Sequence, residues 1–450
     1  MVSPKLAIRL ACCNAHSLWS DLSFLLNWLY GVVRQPHIMV LGVGGFAQAV
    51  MQILSDDGAE VSCGLTRNYA HDAPAFVGPT YDLADVDSLA EIIDRQSVDL
   101  VVPMSIDWAR EPWARSLLAS RAAVFSPTGD GMRIERERDF ARQLCKQFSV
   151  PFPMSHVAHN RIDALEFLKA ESRAFVIKNP LCSPMSPLHT IVCESPSDTR
   201  AWLERIDYAE GVFLQEYLGQ REAGHIALVA NGEVHSLVTN QEYKRAHAGN
   251  LGIVCGGPMG GLTQADPGDR YGLAAALLNP LKPWFADTGY TGPIQATGMF
   301  HNGRWYAIEY NIRLGVTATP MILRMLKQPV ATLLRLARGN PPESKFRIGY
   351  EFGASITLAG YGYPYVQLEG PRVPVKLNSE PSCDVWWNEV TRDVEGCLTA
   401  TGHRIADTVA FGSDLATAVA EANENIQKIR CLGSYHRPDI GQSLWPPGNE

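Results

Sequence analysis

The sequence predicts an α/β unit built on a parallel, doubly wound sheet, followed by units of α+β character. Two patterns carry that expectation. In the N-terminal part, apolar strand-like runs alternate with helical stretches, and past Val150-Pro151-Phe152-Pro153 short strands mix with helices without that alternation. Size agrees: 450 residues, 46% hydrophobic and 19% charged, exclude a disordered chain, and at about 150 residues per domain they fill two or three units.

In chain order, Ile38-Met39-Val40-Leu41 reads as a short buried strand that breaks into Gly42-Val43-Gly44-Gly45 and a helix. Residues 59–64 form the second strand, 86–95 a helix, 98–103 the third strand and 124–128 the last strand of this unit. A helix is expected over about 132–148. Beyond the prolines, strands are expected at 175–178, 190–194, 212–217, 225–229 and 233–239, then a glycine-rich segment at 249–261 and a helix over 274–286. Residues 293–300 and 304–310 read as a hairpin, because Asn302-Gly303 between them suits a two-residue turn. From about Gly349 the chain is strand-rich again, with a strand at 354–359 and a late helix near 415–429.

Charge and cysteine usage narrow the function. The net charge is -8, from 39 Lys+Arg against 47 Asp+Glu, and no basic run could track a phosphate backbone, so nucleic acid is not an expected partner. Ten cysteines without a C-x-x-C pair fit neither a disulfide scaffold nor the common zinc frameworks, and point to a reducing, cytoplasmic compartment. The apolar run 22–33 is about a dozen residues, short of the roughly 20 a membrane span needs, and no clean small-x-small cleavage site follows it. Residues 1–36 are therefore expected to be an N-terminal extension, with no membrane partner.

Several short motifs bear chemistry. At Gly42-Val43-Gly44-Gly45, backbone N–H groups and a helix start could face an anion, with Gly44 and Gly45 closest to it. The motif falls short of a dinucleotide fingerprint, since Gln48 stands near the third glycine position and no acidic residue ends the second strand. Lys178 ends an apolar strand and should emerge at its tip, where an ammonium suits phosphate; a solvated strand-end lysine is the plainer alternative. Leu214-Gln215-Glu216-Tyr217-Leu218 and Glu222 offer a backbone edge for adenine and a carboxylate for ribose, though alone they are ordinary sequence. In Ala307-Ile308-Glu309-Tyr310-Asn311-Ile312-Arg313, period two puts Glu309, Asn311 and Arg313 on one strand face. Two oxygen ligands for Mg²⁺ beside a fixed cation suit phosphoryl transfer from ATP, against the alternative of a polar face with a Glu–Arg pair.

In order, these segments resemble the ATP-grasp superfamily and, within it, phosphoribosylamine–glycine ligase, also called glycinamide ribonucleotide synthetase. The matching series continues through Asn240-Gln241-Glu242-Tyr243-Lys244-Arg245, Gly256-Gly257-Pro258-Met259-Gly260-Gly261, Tyr290-Thr291-Gly292 and a C-terminal Arg437-Pro438-Asp439-Ile440-Gly441, so it covers residues 37–441. The resemblance implies an ATP-grasp fold: a Rossmann-like domain at 37–138, a nucleotide-clamping domain at 139–340 with a lid at about 151–215, and a small C-terminal domain at 341–450. It also implies the chemistry, in which ATP activates a carboxylate to an acyl phosphate and an amine attacks it, giving an amide, ADP and phosphate. Carried over, Glu309 and Asn311 fall on the Mg²⁺ ligands, with Mn²⁺ as the substitute ion. Arg313 falls on the cation at the transferring phosphoryl, with Lys244 beside it as a catalytic residue. Lys178 matches the phosphate lysine, Glu216 and Tyr217 the adenine hinge, Glu222 the ribose carboxylate, and Arg138 stands where the family has a second nucleotide lysine. Gly44, Gly45, Arg245, Gly256 and Gly257 fall on substrate-binding positions.

Departures from the family are uneven. The glycine-rich loop after the phosphate lysine is replaced by Asn179-Pro180-Leu181-Cys182-Ser183-Pro184-Met185-Ser186-Pro187, which is glycine-free and stiffened by three prolines. Phe46-Ala47-Gln48 stand in place of Arg-Glu-His, Pro103-Met104-Ser105 in place of Gly-Pro-Glu, and Val316-Thr317-Ala318 in place of Asp-Pro-Glu. The expectation is an ADP-forming carboxylate–amine ligase with an altered amine, active in specialised metabolism as a monomer or homodimer. Two alternatives stay open: a catalytically degenerate nucleotide-binding protein, and a genuine phosphoribosylamine–glycine ligase.

Overall fold

Strand β1 (His37–Gly42) is buried along its whole length, as a central parallel strand must be. The computed structural model describes residues 34–66, 72–83, 88–104, 106–109, 117–182, 190–343, 345–365 and 372–442. β1 pairs in parallel with β2 (Glu60–Leu65) and β4 (Leu100–Pro103), flanked by β3 (Thr80–Asp82) and β5 (Ala123–Val124), in the order β3-β2-β1-β4-β5. After β1 the chain turns at Gly44, whose φ of 63° favours glycine, into the helix Gly44–Asp56.

A four-stranded sheet of order β6-β9-β7-β8 follows, from β6 (Ser155–Ala158), β7 (Phe175–Lys178), β8 (Ile191–Val192) and β9 (Val212–Glu216). The central sheet has eight strands in the order β16-β15-β10-β11-β14-β17-β22-β19. These are β10 (Glu222–Ala230), β11 (Glu233–Glu242), β14 (Gly260–Ala265), β15 (Gly292–His301), β16 (Arg304–Asn311), β17 (Phe352–Ala359), β19 (Asp384–Trp387) and β22 (Arg404–Gly412). Strands on both sides of the expected boundary at residue 340 thus share one sheet. A hairpin of β12 (Arg245–His247) and β13 (Leu251–Val254) projects between β11 and β14. A small sheet closes the C-terminal part from β18 (Val373–Leu377), β20 (Val390–Arg392), β21 (Leu398–Ala400) and β23 (Ile429–Cys431).

Three elements differ from expectation for physical reasons. The helix at 132–148 is split: a helical turn Arg133–Arg136 and the helix Arg138–Gln147 flank Glu137, which is extended and bridges Leu181. The helix at 274–286 is also in pieces, Leu273–Leu277, a 3₁₀ turn Asn279–Leu281 and Lys282–Thr288, because Pro280 and Pro283 each lack an N–H donor and sit at the first turns. The late helix stops at Ile426, since Ile429–Cys431 pairs with β18. The hairpin forms as expected, with Asn302 and Gly303 both at positive φ between paired His301 and Arg304.

Residues His37–Glu450 form a single packed unit. Met39, Leu41 and Val101 of the parallel sheet share one core with Trp284, Phe285 and Tyr310 of the central body. Residues 1–33 of the expected extension 1–36, and residues 183–189 with most of the proline-bearing loop, lie outside the described residues. Among the described residues no helix is long and apolar enough to cross a membrane.

Candidate active site

A cleft of about 1920 Å³ opens between the parallel sheet, the β6–β9 sheet and the central sheet. Its lining includes Gly44, Arg138, Lys178, Glu216, Tyr217, Glu222, Lys244, Arg245, Gly256, Gly257, Glu309, Asn311 and Arg313, so thirteen of the fourteen site residues expected from sequence meet there. Gly45 stands just behind that wall. Segments more than 250 residues apart in the chain converge because the parallel sheet and the central body share a core.

Glu309 lies near the end of β16, beside a bulge. Its partner is Thr297 and that of Ala307 is Gly298, which leaves Ile308 unpaired. The Ile308 carbonyl instead accepts from Lys178 Nζ at 3.2 Å and from Gln215 Nε2 at 3.3 Å. Lys178 Nζ also donates to Gln215 Oε1 at 2.7 Å. The lysine does not emerge at a wet strand tip as expected: it is 4% exposed, and burial, then the neighbouring Arg138 cation, pull its ammonium down to about 7.

The Glu309 carboxylate faces the opposite balance. Burial raises it, but Lys244, Arg138, Lys178 and Arg313 together outweigh burial and hold it down to about 2. Its ion pair with Arg138 Nη1 is 3.8 Å long, which is attraction without a hydrogen bond. Asn311 Oδ1 accepts only a long bond of 3.4 Å from Arg313 Nη2. An ionised carboxylate and an amide oxygen with free lone pairs are hard donors that fit Mg²⁺. Arg313 follows the last residue of β16 rather than lying within it. Its guanidinium is anchored by Glu135 at 3.4 Å, whose other oxygen accepts the Ile312 N–H at 2.7 Å.

Arg138 clamps the start of the loop after Lys178. Its Nε donates to the Asn179 carbonyl at 2.9 Å and its backbone N–H to Pro180 at 3.1 Å, and Cys182 N donates to Arg136 at 2.9 Å. Residues 179–182 are therefore strapped to Arg136 and Arg138, on either side of the break at Glu137. Cys182 lines the cleft, but burial pushes its thiol up to about 11, which suits packing and not nucleophilic attack.

Adjacent basic residues part company. Lys244 Nζ meets Glu222 at 2.7 Å and is held firmly protonated, because Glu222, Glu309 and Glu242 outweigh its burial. Arg245 points the other way, to Glu194 at 2.7 Å and the Gly252 carbonyl at 2.9 Å. Glu216 lines the cleft, and its carboxylate turns to Arg173 at 3.4 Å. Glu222, expected at a ribose, is engaged by Lys244.

The glycine turn departs most from expectation. The Gly45 N–H donates to Asn388 Oδ1 at 3.1 Å, and Gln48 Oε1 accepts the Trp387 N–H at 2.6 Å. A Cβ on Gly45 would stand 2.8 Å from Asn388 Oδ1, so this glycine is needed for a close approach by protein rather than by a ligand. Asn388 in turn donates to Asp407 at 2.7 Å, and Asp407 pairs with Arg404 at 3.2 Å. Arg404 also donates to the Gly257 and Pro258 carbonyls at 2.9 and 3.1 Å, and lies 5.8 Å from the Phe46 ring centre. Sequence reading missed Gln215, Glu135, Asn388 and Arg404. Each works through tertiary contacts that no local pattern announces.

Residues 354–443 match the family model "Phosphoribosylglycinamide synthetase, C domain". The phosphoribosylamine–glycine ligase of Synechocystis is 26% identical over 374 residues, covering 79% of this chain and 87% of that protein. The crystal structure of the Thermotoga maritima phosphoribosylamine–glycine ligase superposes with a TM-score of 0.71 at 23% identity, over 90% of this chain and 99% of that one. The biotin carboxylase domain of a Hydrogenobacter thermophilus 2-oxoglutarate carboxylase gives 0.66 at 12% identity, over 89% and 91%. The chain has the fold of the ATP-grasp ligases. Within that superfamily the chain is similar to the phosphoribosylamine–glycine ligases.

Proposed function

We propose that the protein is an ATP-dependent, ADP-forming carboxylate–amine ligase that works through an acyl phosphate and takes an amine other than phosphoribosylamine. The observation that supports the altered amine is the Gly45–Asn388–Asp407–Arg404 network. The Gly45 N–H, expected at an anion, is taken by Asn388, and the buried Arg404 guanidinium in the cleft wall is taken by Asp407 and the Gly257 carbonyl. Beside them Phe46 and Met104 line the same end of the cleft with apolar surface.

At the other end the groups for ATP remain. The backbone at Glu216 and Tyr217 would meet adenine, and Lys178 and Arg138 the phosphates. Glu309 and Asn311 would hold Mg²⁺ or Mn²⁺, which supplies neutralisation of phosphate charge. A substrate carboxylate oxygen attacks the γ-phosphorus, the bond to ADP breaks, and ADP leaves with the electron pair. Arg313, fixed by Glu135, and Lys244 offset the charge that develops on the moving phosphoryl group. The domains read from sequence, 37–138, 139–340 and 341–450, would then carry the amine end, the nucleotide clamp and the wall that closes on both.

The test is ADP release with Mg-ATP, screening amino acids as carboxylates against a panel of amines that includes phosphoribosylamine. ADP formed only with one carboxylate and a different amine is the expected result. Turnover with phosphoribosylamine and glycine would make it a genuine glycinamide ribonucleotide synthetase. Nucleotide binding with no turnover would favour a degenerate, nucleotide-binding role. Glu309→Ala and Arg313→Ala should each lower ADP release by at least about 100-fold, and unchanged product formation in either would refute its assignment.

A further inference from the structure

We propose that Glu242 is the base that takes the proton from the attacking ammonium, a role resting on the ligase reading above. At neutral pH an alkylamine stands largely as its ammonium, which has no lone pair for attack. Some group in the cleft must receive that proton.

Among the described residues, six of the seven glutamates lining the cleft are already committed. Glu135 holds the Ile312 N–H and Arg313. Glu216 pairs with Arg173, Glu222 with Lys244 at 2.7 Å, and Glu210 accepts from Asn179 at 2.5 Å. Glu389 accepts the His403 N–H, and Glu309 belongs to the metal set. Glu242 is different. It ends β11 with a side chain only 13% exposed, yet its nearest cation, Lys244 Nζ, is 3.9 Å away, and its closest donor, the Thr317 hydroxyl, is at 3.5 Å. Both distances lie beyond a sound hydrogen bond, so its lone pairs face the cleft largely unused.

The groups facing it make it a proton acceptor. Burial raises the affinity of its carboxylate for a proton, and the Glu222 and Glu309 carboxylates add to that, while Lys244 and Arg313 oppose them without restoring the ordinary value. No hydrogen bond or ion pair joins Glu242 to Glu309 or Asn311 among the described residues. A Cβ on Gly315 would come within 3.3 Å of Glu242 Oε1, so the glycine that follows Arg313 leaves the carboxylate room beside the phosphoryl cation.

The step balances. Glu242 takes one proton from the ammonium and frees the nitrogen lone pair. Nitrogen attacks the acyl carbon, the C–N bond forms, the C–O bond to phosphate breaks and phosphate leaves with the electron pair. The second N–H proton departs on the phosphate.

Two small nucleophiles separate this role from every other, because both fit any amine pocket. Ammonia stands mostly as ammonium at neutral pH, whereas hydroxylamine is mostly uncharged. Wild-type protein and Glu242→Gln are assayed with Mg-ATP and each of the twenty amino acids as carboxylate, with ammonium chloride in one arm and hydroxylamine in the other. The expected result is an amide yield from ammonium that falls on the order of 10²- to 10⁴-fold in the variant, with hydroxamate formation retained. Retained hydroxamate also reports that the variant folds, and Glu242→Asp should recover part of the ammonium arm. Equal loss in both arms would make Glu242 part of phosphoryl transfer and overturn the proposal, as would no loss in either. Wild-type hydroxamate without wild-type amide would overturn it too. Absence of hydroxamate in the wild type with all twenty acids would instead overturn the ligase reading, and this role with it.

Discussion

Lys178 shows what one buried cation costs and what it prepares. Its ammonium is held at about 7 against an ordinary 10.5, so between those values the unfolded chain binds the proton that the folded chain has lost. This group therefore opposes folding below about pH 10.5, most fully below pH 7, and its penalty fades as pH rises through that window. A bound polyphosphate reverses the balance, since negative charge next to Nζ favours the ammonium. Mg-ATP binding at pH 8 should accordingly draw up to about one proton from solution, and affinity should fall as pH rises above 7. Calorimetry in buffers of different ionisation enthalpy reads that uptake directly. Lys178→Met should abolish it, and proton release or no exchange by the wild-type protein would remove Lys178 from the phosphate site.

At the scale of elements, the β15–β16 hairpin was the most readable part of the site, because Asn302-Gly303 fixes its turn and the turn fixes the register that brings Glu309 opposite Thr297. The φ of 75° at Gly303, with no atom within 4 Å of an added Cβ, makes Gly303→Ala a test of backbone conformation alone. It should lower stability by about 1–2 kcal/mol, seen as a reduced urea midpoint, and an unchanged midpoint would show that the turn does not set the register. Features that depend on a distant partner were not readable. Alternation correctly placed Glu309 and Asn311, but it could not reveal the bulge at Ile308, whose carbonyl anchors Lys178, or that Arg313 lies past the strand end. Glu137 looked like mid-helix sequence, and only its bridge to Leu181 explains the break. Glu242 ends a run that reads as an ordinary strand, and its lack of a close partner is visible only once Lys244 is seen to turn towards Glu222. Gly45 failed in the reverse sense: its motif implies an anion site, but Asn388, 343 residues away, takes the N–H.

The whole molecule is tied together by that same contact. Gly45 lies in the first turn of the helix that follows β1, Asn388 follows β19, and Asp407 and Arg404 lie on β22, so four buried groups join the parallel sheet to the far side of the eight-stranded sheet. Within this chain of bonds Asp407 is the hub, accepting from Asn388, Arg404 and Thr357. Its removal and that of Asn388 should differ in kind. Asn388→Ala deletes a neutral link and leaves one N–H and part of one carboxylate unpaired, a loss of about 1–3 kcal/mol. Asp407→Asn leaves the Arg404 guanidinium, 8% exposed, without its counter-charge, which should cost about 3–5 kcal/mol. Denaturant unfolding of both variants measures the difference. Asp407→Asn should unfold first, and Arg404 freed from its carboxylate should become available to an anion, so added inorganic phosphate should restore stability to Asp407→Asn and not to Asn388→Ala. The opposite order, or equal response to phosphate, would mean that the network neither joins the two sheets through Asp407 nor withholds Arg404 from the cleft, and the case for an altered amine would lose its support.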